Sequence, residues 1–225
     1  MNIKNIIFDI GGVLADSKSG NWFITPNFWN IIDKNIVNEE KLKNSLKKNI
    51  YLQTQTPKTE KEEYEMFSNY YYHVLKEIDY PNINKEIANK LADDCVYNDD
   101  KFIFYDDNKD TLELLSKKFN LYIISNGWPS SFRVLKNNNI DIYFKDIIIS
   151  SMYTTTKEDN LFNIFLKKHK EINPKESIYI DDRKHILDKA KTYDFHLLLM
   201  DRKNTCIENN YKIVNNMNDI LEVLK

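Results

Sequence analysis

Ile6-Ile7-Phe8-Asp9-Ile10-Gly11-Gly12-Val13-Leu14 is the stretch on which the fold of this chain turns. An apolar run ends in one carboxylate, and after Ile10 come two glycines and two more apolar residues. A strand that is apolar on both faces belongs inside a parallel sheet. It carries Asp9 to its carboxyl end, where open α/β sheets keep their ligand crevice. The glycines let the backbone turn sharply and let a ligand come close to it.

Outward from this strand, helix and strand signals alternate from about residue 100 onward. Leu112, Leu115 and Phe119 make a helix face, and Leu121-Tyr122-Ile123-Ile124 a buried strand ending at Ser125-Asn126-Gly127-Trp128. Phe132 and Leu135 sit on the next helix. Ile147-Ile148-Ile149 is a strand, and Phe162, Phe165 and Leu166 mark a further helix. Ser177-Ile178-Tyr179-Ile180 is a strand ending at Asp181-Asp182, and Ile186, Leu187 and Ala190 face inward on the helix after it. His196–Met200 and Tyr211–Val214 read as the last strands. The alternation predicts an α/β fold with a doubly wound, mostly parallel sheet.

Residues 17–98 read differently, as an all-helical insertion after the first strand. Thr25-Pro26 has the form of a helix cap with proline at the first helical position. Phe28, Trp29 and Ile32 share a face, and Leu42, Leu46 and Ile50 repeat at helical spacing. Thr59 and Glu62 make a capping-box pattern ahead of Tyr64, Phe67, Tyr71, Leu75 and Ile78. Ile87, Leu91 and Cys95 continue it. The aromatic run Tyr70-Tyr71-Tyr72 reads as part core and part helix surface rather than as a pocket lining. The expected division is an α/β core formed by residues 1–16 and 99–225, with 17–98 inserted.

Composition narrows the function classes. The chain has 225 residues, 42% of them hydrophobic, and a net charge of -2, so a packed core is expected and no global field favours nucleic acid or an anionic membrane. Cys95 and Cys206 stand far apart in no metal-like spacing, which points to two reduced thiols. The short apolar stretch at the N-terminus is broken by Asp9, unlike a signal peptide, and no apolar run approaches membrane-spanning length. A soluble cytoplasmic protein is the expectation. Oligomeric state is left open.

Four strand ends carry polar groups: Asp9, Ser125, the segment leading to Lys157, and Asp181-Asp182. In a doubly wound sheet these ends line one edge, so residues remote in sequence converge. Carboxylates, a hydroxyl and an ammonium suit a hard divalent cation together with a phosphoryl group. Carboxylates alone at that distance would repel, and one would stay protonated.

In order and context these motifs resemble the haloacid dehalogenase-like (HAD) superfamily, subfamily I, with a helical cap inserted after the first strand. The resemblance covers nearly the whole chain, although the cap matches only in position, size and helical character. It implies a Rossmann-like core and a magnesium-dependent phosphatase acting on a small phosphorylated metabolite. Asp9 maps to the nucleophile that forms an aspartyl-phosphate. Ser125 and Lys157 map to the groups holding the phosphoryl oxygens, with Lys145 the fallback for the lysine and Asn126 a substrate-binding neighbour. Asp9, the backbone carbonyl of Gly11, and Asp182 map to the Mg²⁺ ligands, with Asp181 behind them.

The departures from the family pattern matter as much. Gly11 stands where relatives carry an Asp that protonates the leaving group and then activates water. Losing general acid–base help costs about 10²–10⁴ in rate. That loss is tolerable for good leaving groups, as in acyl, anomeric or aryl phosphates, or if Asp16, a cap residue or the substrate supplies the proton. Ile186 replaces a common polar group and fits the apolar face of its own helix. Lys157-Glu158 replaces a frequent Lys-Pro. Two alternatives follow: a catalytically silent binding protein, motivated by Gly11, and a metal-free 2-haloacid dehalogenase, which the Asp181-Asp182 pair disfavours. His185, close after the acidic pair, and Trp128, after the Ser125 motif, are the other residues to follow into the structure.

Overall fold

The computed structural model describes residues 2–206 and 210–225. Residues 1 and 207–209, which the expected core ranges include, lie outside the described set. The strands are β1 (Asn5–Phe8), β2 (Ala15–Ser17), β3 (Phe102–Phe104), β4 (Asn120–Ser125), β5 (Asp146–Ile149), β6 (Ser177–Asp181), β7 (His196–Met200) and β8 (Lys212–Val214).

Six of them form one sheet in the order β5-β4-β1-β6-β7-β8, with every neighbouring pair parallel. The chain starts in the middle, adds β4 and β5 on one side, and then β6 to β8 on the other. The order therefore reverses at β1, which puts the ligand crevice of such sheets at its carboxyl end. All four β1 residues are buried, as a strand covered on both faces must be.

Alternation along β1 splits the α/β core into two halves. Ile6 and Phe8 face one cluster and Ile7 the other. The helical insertion supplies α1 (Phe28–Ile31), α2 (Glu39–Lys48), α3 (Glu60–Glu77) and α4 (Lys85–Val96). The sheet is flanked by α5 (Asn108–Ser116), α6 (Ser130–Asn137), α7 (Leu161–Lys168), α8 (Lys184–Lys191) and α9 (Met217–Val223). Residues of α5, α6 and α9 join Ile6 and Phe8, while residues of α7 and α8 join Ile7. Ile186 is fully buried in the second cluster, which explains why its helix carries an apolar residue there.

Helices α1 to α4 pack around their own apolar cluster, with Phe28, Leu46, Tyr70, Tyr71 and Leu91 at its centre. Tyr70 and Tyr71 are buried there and Tyr72 is half-buried, as the core reading expects. Thr59 and Glu62 form the expected capping box at the start of α3. Two local expectations differ. α1 starts at Phe28 with Asn27 at its N-cap, and the Thr25 hydroxyl makes no hydrogen bond. Asn27 is instead tied to Asp94 through its backbone N–H and its side-chain amide, both at 2.7 Å, and this distant anchor overrides the Thr-Pro start signal. Ile50 lies in a 3₁₀ turn after α2 and is 48% exposed, because the helical repeat ends at Lys48.

The insertion is joined to the core by a two-stranded antiparallel ribbon, in which Ala15 pairs with Phe104 and Ser17 with Phe102. Its three-residue strands are too short to register as periodicity. Among the described residues, no helix is long and apolar enough to cross a membrane.

Candidate active site

The reversal at β1 places Asp9 between the ends of β4 and β6. The Asp9 N–H donates to the Ile180 carbonyl at 3.0 Å, so the backbone stays tied to β6 as the carboxylate reaches the sheet edge. Ser125, the last residue of β4, donates its hydroxyl to Asp9 Oδ1 at 2.6 Å. Lys157, wholly buried, places Nζ 2.8 Å from Asp9 Oδ2 and 2.6 Å from Asp181 Oδ2. Lys145 is exposed just before β5, at the opposite end of the strands. Of the two lysines, Lys157 is the one at the site.

Asp181 is consumed by its neighbours. Besides Lys157, it accepts the Tyr179 hydroxyl at 2.6 Å and the Arg183 N–H at 2.9 Å. Asp182 turns the other way, toward Gly12. A Cβ on Gly12 would lie 2.3 Å from Asp182 Oδ2, and Gly12 has a φ of +72°. Glycine is thus required there both by conformation and by the approach of the carboxylate. Asn126 accepts the Lys157 N–H at 2.9 Å and donates to Glu158 at 2.8 Å, so it holds the lysine loop while lining the cavity.

Arg183 is the site residue that the motif reading did not single out. Its guanidinium lies 3.7–3.9 Å from carboxylate oxygens of Asp9, Asp181 and Asp182. The one sequence signal for it was its place directly after an acidic pair at a strand end.

The charges set one another. Burial raises the Asp9 carboxyl above its usual range, and Lys157 works against that rise. Burial, then the charges of Asp9 and Asp181, push Asp182 up to about 7. Burial would lower the Arg183 guanidinium, but the three carboxylates outweigh it and raise it. Oxygens of Asp9, Asp181 and Asp182 all lie within 4.8 Å of one another. With all three ionised, three carboxylates against the two cations of Lys157 and Arg183 leave one negative charge. A hard divalent cation fits this donor set, and Asp9 and Asp182 are the members whose oxygens are least committed to Lys157 and Tyr179.

A cavity of about 530 Å³ opens above these groups and runs under the helical insertion. Asp9, Ser125 and Asp182 line its floor, and Trp22, Phe23 and Phe67 line its far side. Trp128 borders it too, with its indole N–H donated to the Thr54 carbonyl at 2.9 Å and its ring edge-on to Phe67. Asp16 is turned to Lys203 at 3.0 Å and is not part of this lining. His185 is exposed and faces Glu158 at 3.4 Å.

The fold and the family comparison agree on the class, a HAD-type hydrolase. Residues 6–200 match the model of the haloacid dehalogenase-like hydrolases, and the chain belongs to that family. A comparison with curated proteins finds no match. Solved structures with this fold include YfnB from Bacillus subtilis, bound to magnesium (13% identity, 100% of both chains, TM-score 0.73). A 2-haloacid dehalogenase from Pseudomonas syringae pv. Tomato DC3000 shares 17% identity over 99% of this chain and 98% of that one, with a TM-score of 0.68. A HAD phosphatase from Thermococcus onnurineus shares 17% identity over the same proportions, with a TM-score of 0.66. At these identities the likeness carries the fold and leaves the reaction to the site.

Proposed function

We propose that this hydrolase is a magnesium-dependent phosphatase that transfers a phosphoryl group from a small metabolite to Asp9 and then to water. The observation that supports it most is the meeting of Asp9, Ser125, Lys157 and Asp182 at one sheet edge with a carboxylate charge in excess. Bound Mg²⁺, held by Asp9, Asp182 and the Gly11 carbonyl, would supply positive charge opposite the transferring group.

Asp9 needs to be ionised to attack, and Lys157 at 2.8 Å favours that form against the cost of burial. A carboxylate oxygen of Asp9 forms a bond to phosphorus while the bond from phosphorus to the leaving oxygen breaks. Ser125 and Lys157 exchange their bonds to Asp9 for bonds to phosphoryl oxygens. Asp181 keeps Lys157 in place and Asn126 keeps its loop in place. Water then hydrolyses the acyl phosphate and restores the Asp9 carboxylate. Residues 17–98 act as a cap that closes over the cavity and excludes bulk water; the YfnB structure is itself described as revealing interdomain movement.

The test is phosphate release from acetyl phosphate and p-nitrophenyl phosphate, with and without Mg²⁺, for the wild type and Asp9→Asn. Metal-dependent release abolished by the substitution is the expected result. Absence of release from either substrate would favour a binding protein. Metal-free halide release from 2-haloacids would favour the dehalogenase reading, which the missing acid at Gly11 keeps in play.

A further inference from the structure

Resting on the phosphatase reading, we infer that the leaving group is an aryloxide: the substrate is the phosphate monoester of an uncharged phenol. Three features of the cavity point to this class.

The first is what fills the place of the missing acid. A Cβ on Gly11 would stand 3.3 Å from Trp22 Cζ2 and 3.9 Å from Cη2. The indole thus covers the ground that a longer side chain at position 11 would need. At that position the site offers an aromatic edge rather than a proton donor. An alkoxide leaves poorly without a proton, whereas a phenol, with a pKa of about 10 like that of tyrosine, leaves as its anion.

The second is the wall. Trp22, Phe23, Phe67, Phe102 and Trp128 all line the cavity, and Trp22 meets Phe102 edge-on at 5.5 Å. Aromatic walls of this kind hold a flat ring better than a hydrated sugar or a glycerol chain.

The third is charge and hydrogen bonding away from Asp9. Lys101 and Glu63 reach the cavity from the ribbon and from α3, but they close on each other. Glu63 accepts the Ser130 N–H at 2.8 Å and the Ser130 hydroxyl at 2.5 Å. Lys101 donates to Ser130 Oγ and, at 3.1 Å, to the Cys95 carbonyl, and lies 3.8 Å from Glu63. This pair leaves no spare charge for a second anionic group on the substrate. The hydroxyls of Ser17 and Thr25, whose residues border the cavity, are enclosed away from it and add no charge.

The experiment measures kcat and KM of the full-length protein with Mg²⁺ for phenyl phosphate, benzyl phosphate, glycerol 1-phosphate and acetyl phosphate. Benzyl phosphate carries the same ring on an alkoxide. With no acid at position 11, its kcat is expected to fall about 10²-fold or more below that of phenyl phosphate, with KM nearly unchanged. Glycerol phosphate is expected to show both a low kcat and a high KM. Trp22→Ala, at a half-exposed position that folding should tolerate, is expected to raise KM for phenyl phosphate about tenfold and to raise that for acetyl phosphate less. Benzyl phosphate turned over as fast as phenyl phosphate, glycerol phosphate matching it in kcat/KM, or an unchanged KM in Trp22→Ala would each overturn the inference. In each of those cases the phosphatase reading would stand, provided acetyl phosphate is hydrolysed and Asp9→Asn is dead. Failure to hydrolyse any of the four would remove both.

Discussion

Asp182 Oδ2 lies 2.3 Å from the point that a Cβ on Gly12 would occupy, whereas the same point on Gly11 is 3.3 Å from the edge of Trp22. These adjacent glycines therefore respond differently to substitution. Gly11→Ala needs only a few tenths of an ångström from an indole that is half exposed, and its effect on stability should stay within about 1 kcal/mol. Gly12→Ala strains a positive φ and displaces Asp182. It should cost about 1–3 kcal/mol and most of the Mg²⁺ affinity. Denaturant unfolding and calorimetric Mg²⁺ titration of both variants would check this, and equal behaviour would contradict it.

Lys157 is fully buried between Asp9 and Asp181. Lys157→Met leaves two buried carboxylates without their cation, and the expected loss is about 3–5 kcal/mol. The double variant Lys157→Met/Asp181→Asn removes one of those charges and should recover part of the loss. No recovery in urea unfolding would mean that the two residues do not act as a pair.

Asp182 links metal binding to pH. With its carboxyl pushed up to about 7 by burial and by Asp9 and Asp181, a proton competes with Mg²⁺. Affinity should fall about tenfold per pH unit below that value and level off above it. The same shift has a stability consequence for the metal-free protein. A raised carboxyl contributes stability that is full below its ordinary value near 3.8 and is lost as pH rises to about 7. Saturating Mg²⁺ should reverse that loss. Titrations across this range, with Asp182→Asn as the flat control, give the measurement.

Glu63 ties α3 of the insertion to the first turn of α6 through both bonds to Ser130. Burial raises its carboxyl, against the pull of Lys101 and Ser130. Its titration therefore contributes stability in acid, below about 4.5, that is lost as pH rises through the raised folded value. Glu63→Gln removes that dependence while keeping an acceptor for the Ser130 N–H. Relative to wild type, the variant should gain ground as pH rises in unfolding measured from about pH 4 to pH 8. A constant difference would place the titration elsewhere.

The local sequence determined the elements and their order. Strands apolar on both faces, each ending in a polar residue, specify a parallel sheet, and strand polarity alone brings Asp9, Ser125 and Asp181-Asp182 to one edge. The Thr59–Glu62 cap and the apolar face around Ile186 were legible for the same reason: their partners lie within one helical turn or on one helix face. Tertiary structure alone decided the rest. It gave Lys157 rather than Lys145 to Asp9, and it brought Arg183 within reach of three carboxylates. It also moved the start of α1 to Phe28 through the Asn27–Asp94 bonds and paired the three-residue ribbon strands. It set Trp22 against Gly11 as well. These contacts depend on separations that no periodicity encodes, and their distances become defined only once the α/β core, the insertion and the ribbon between them have packed.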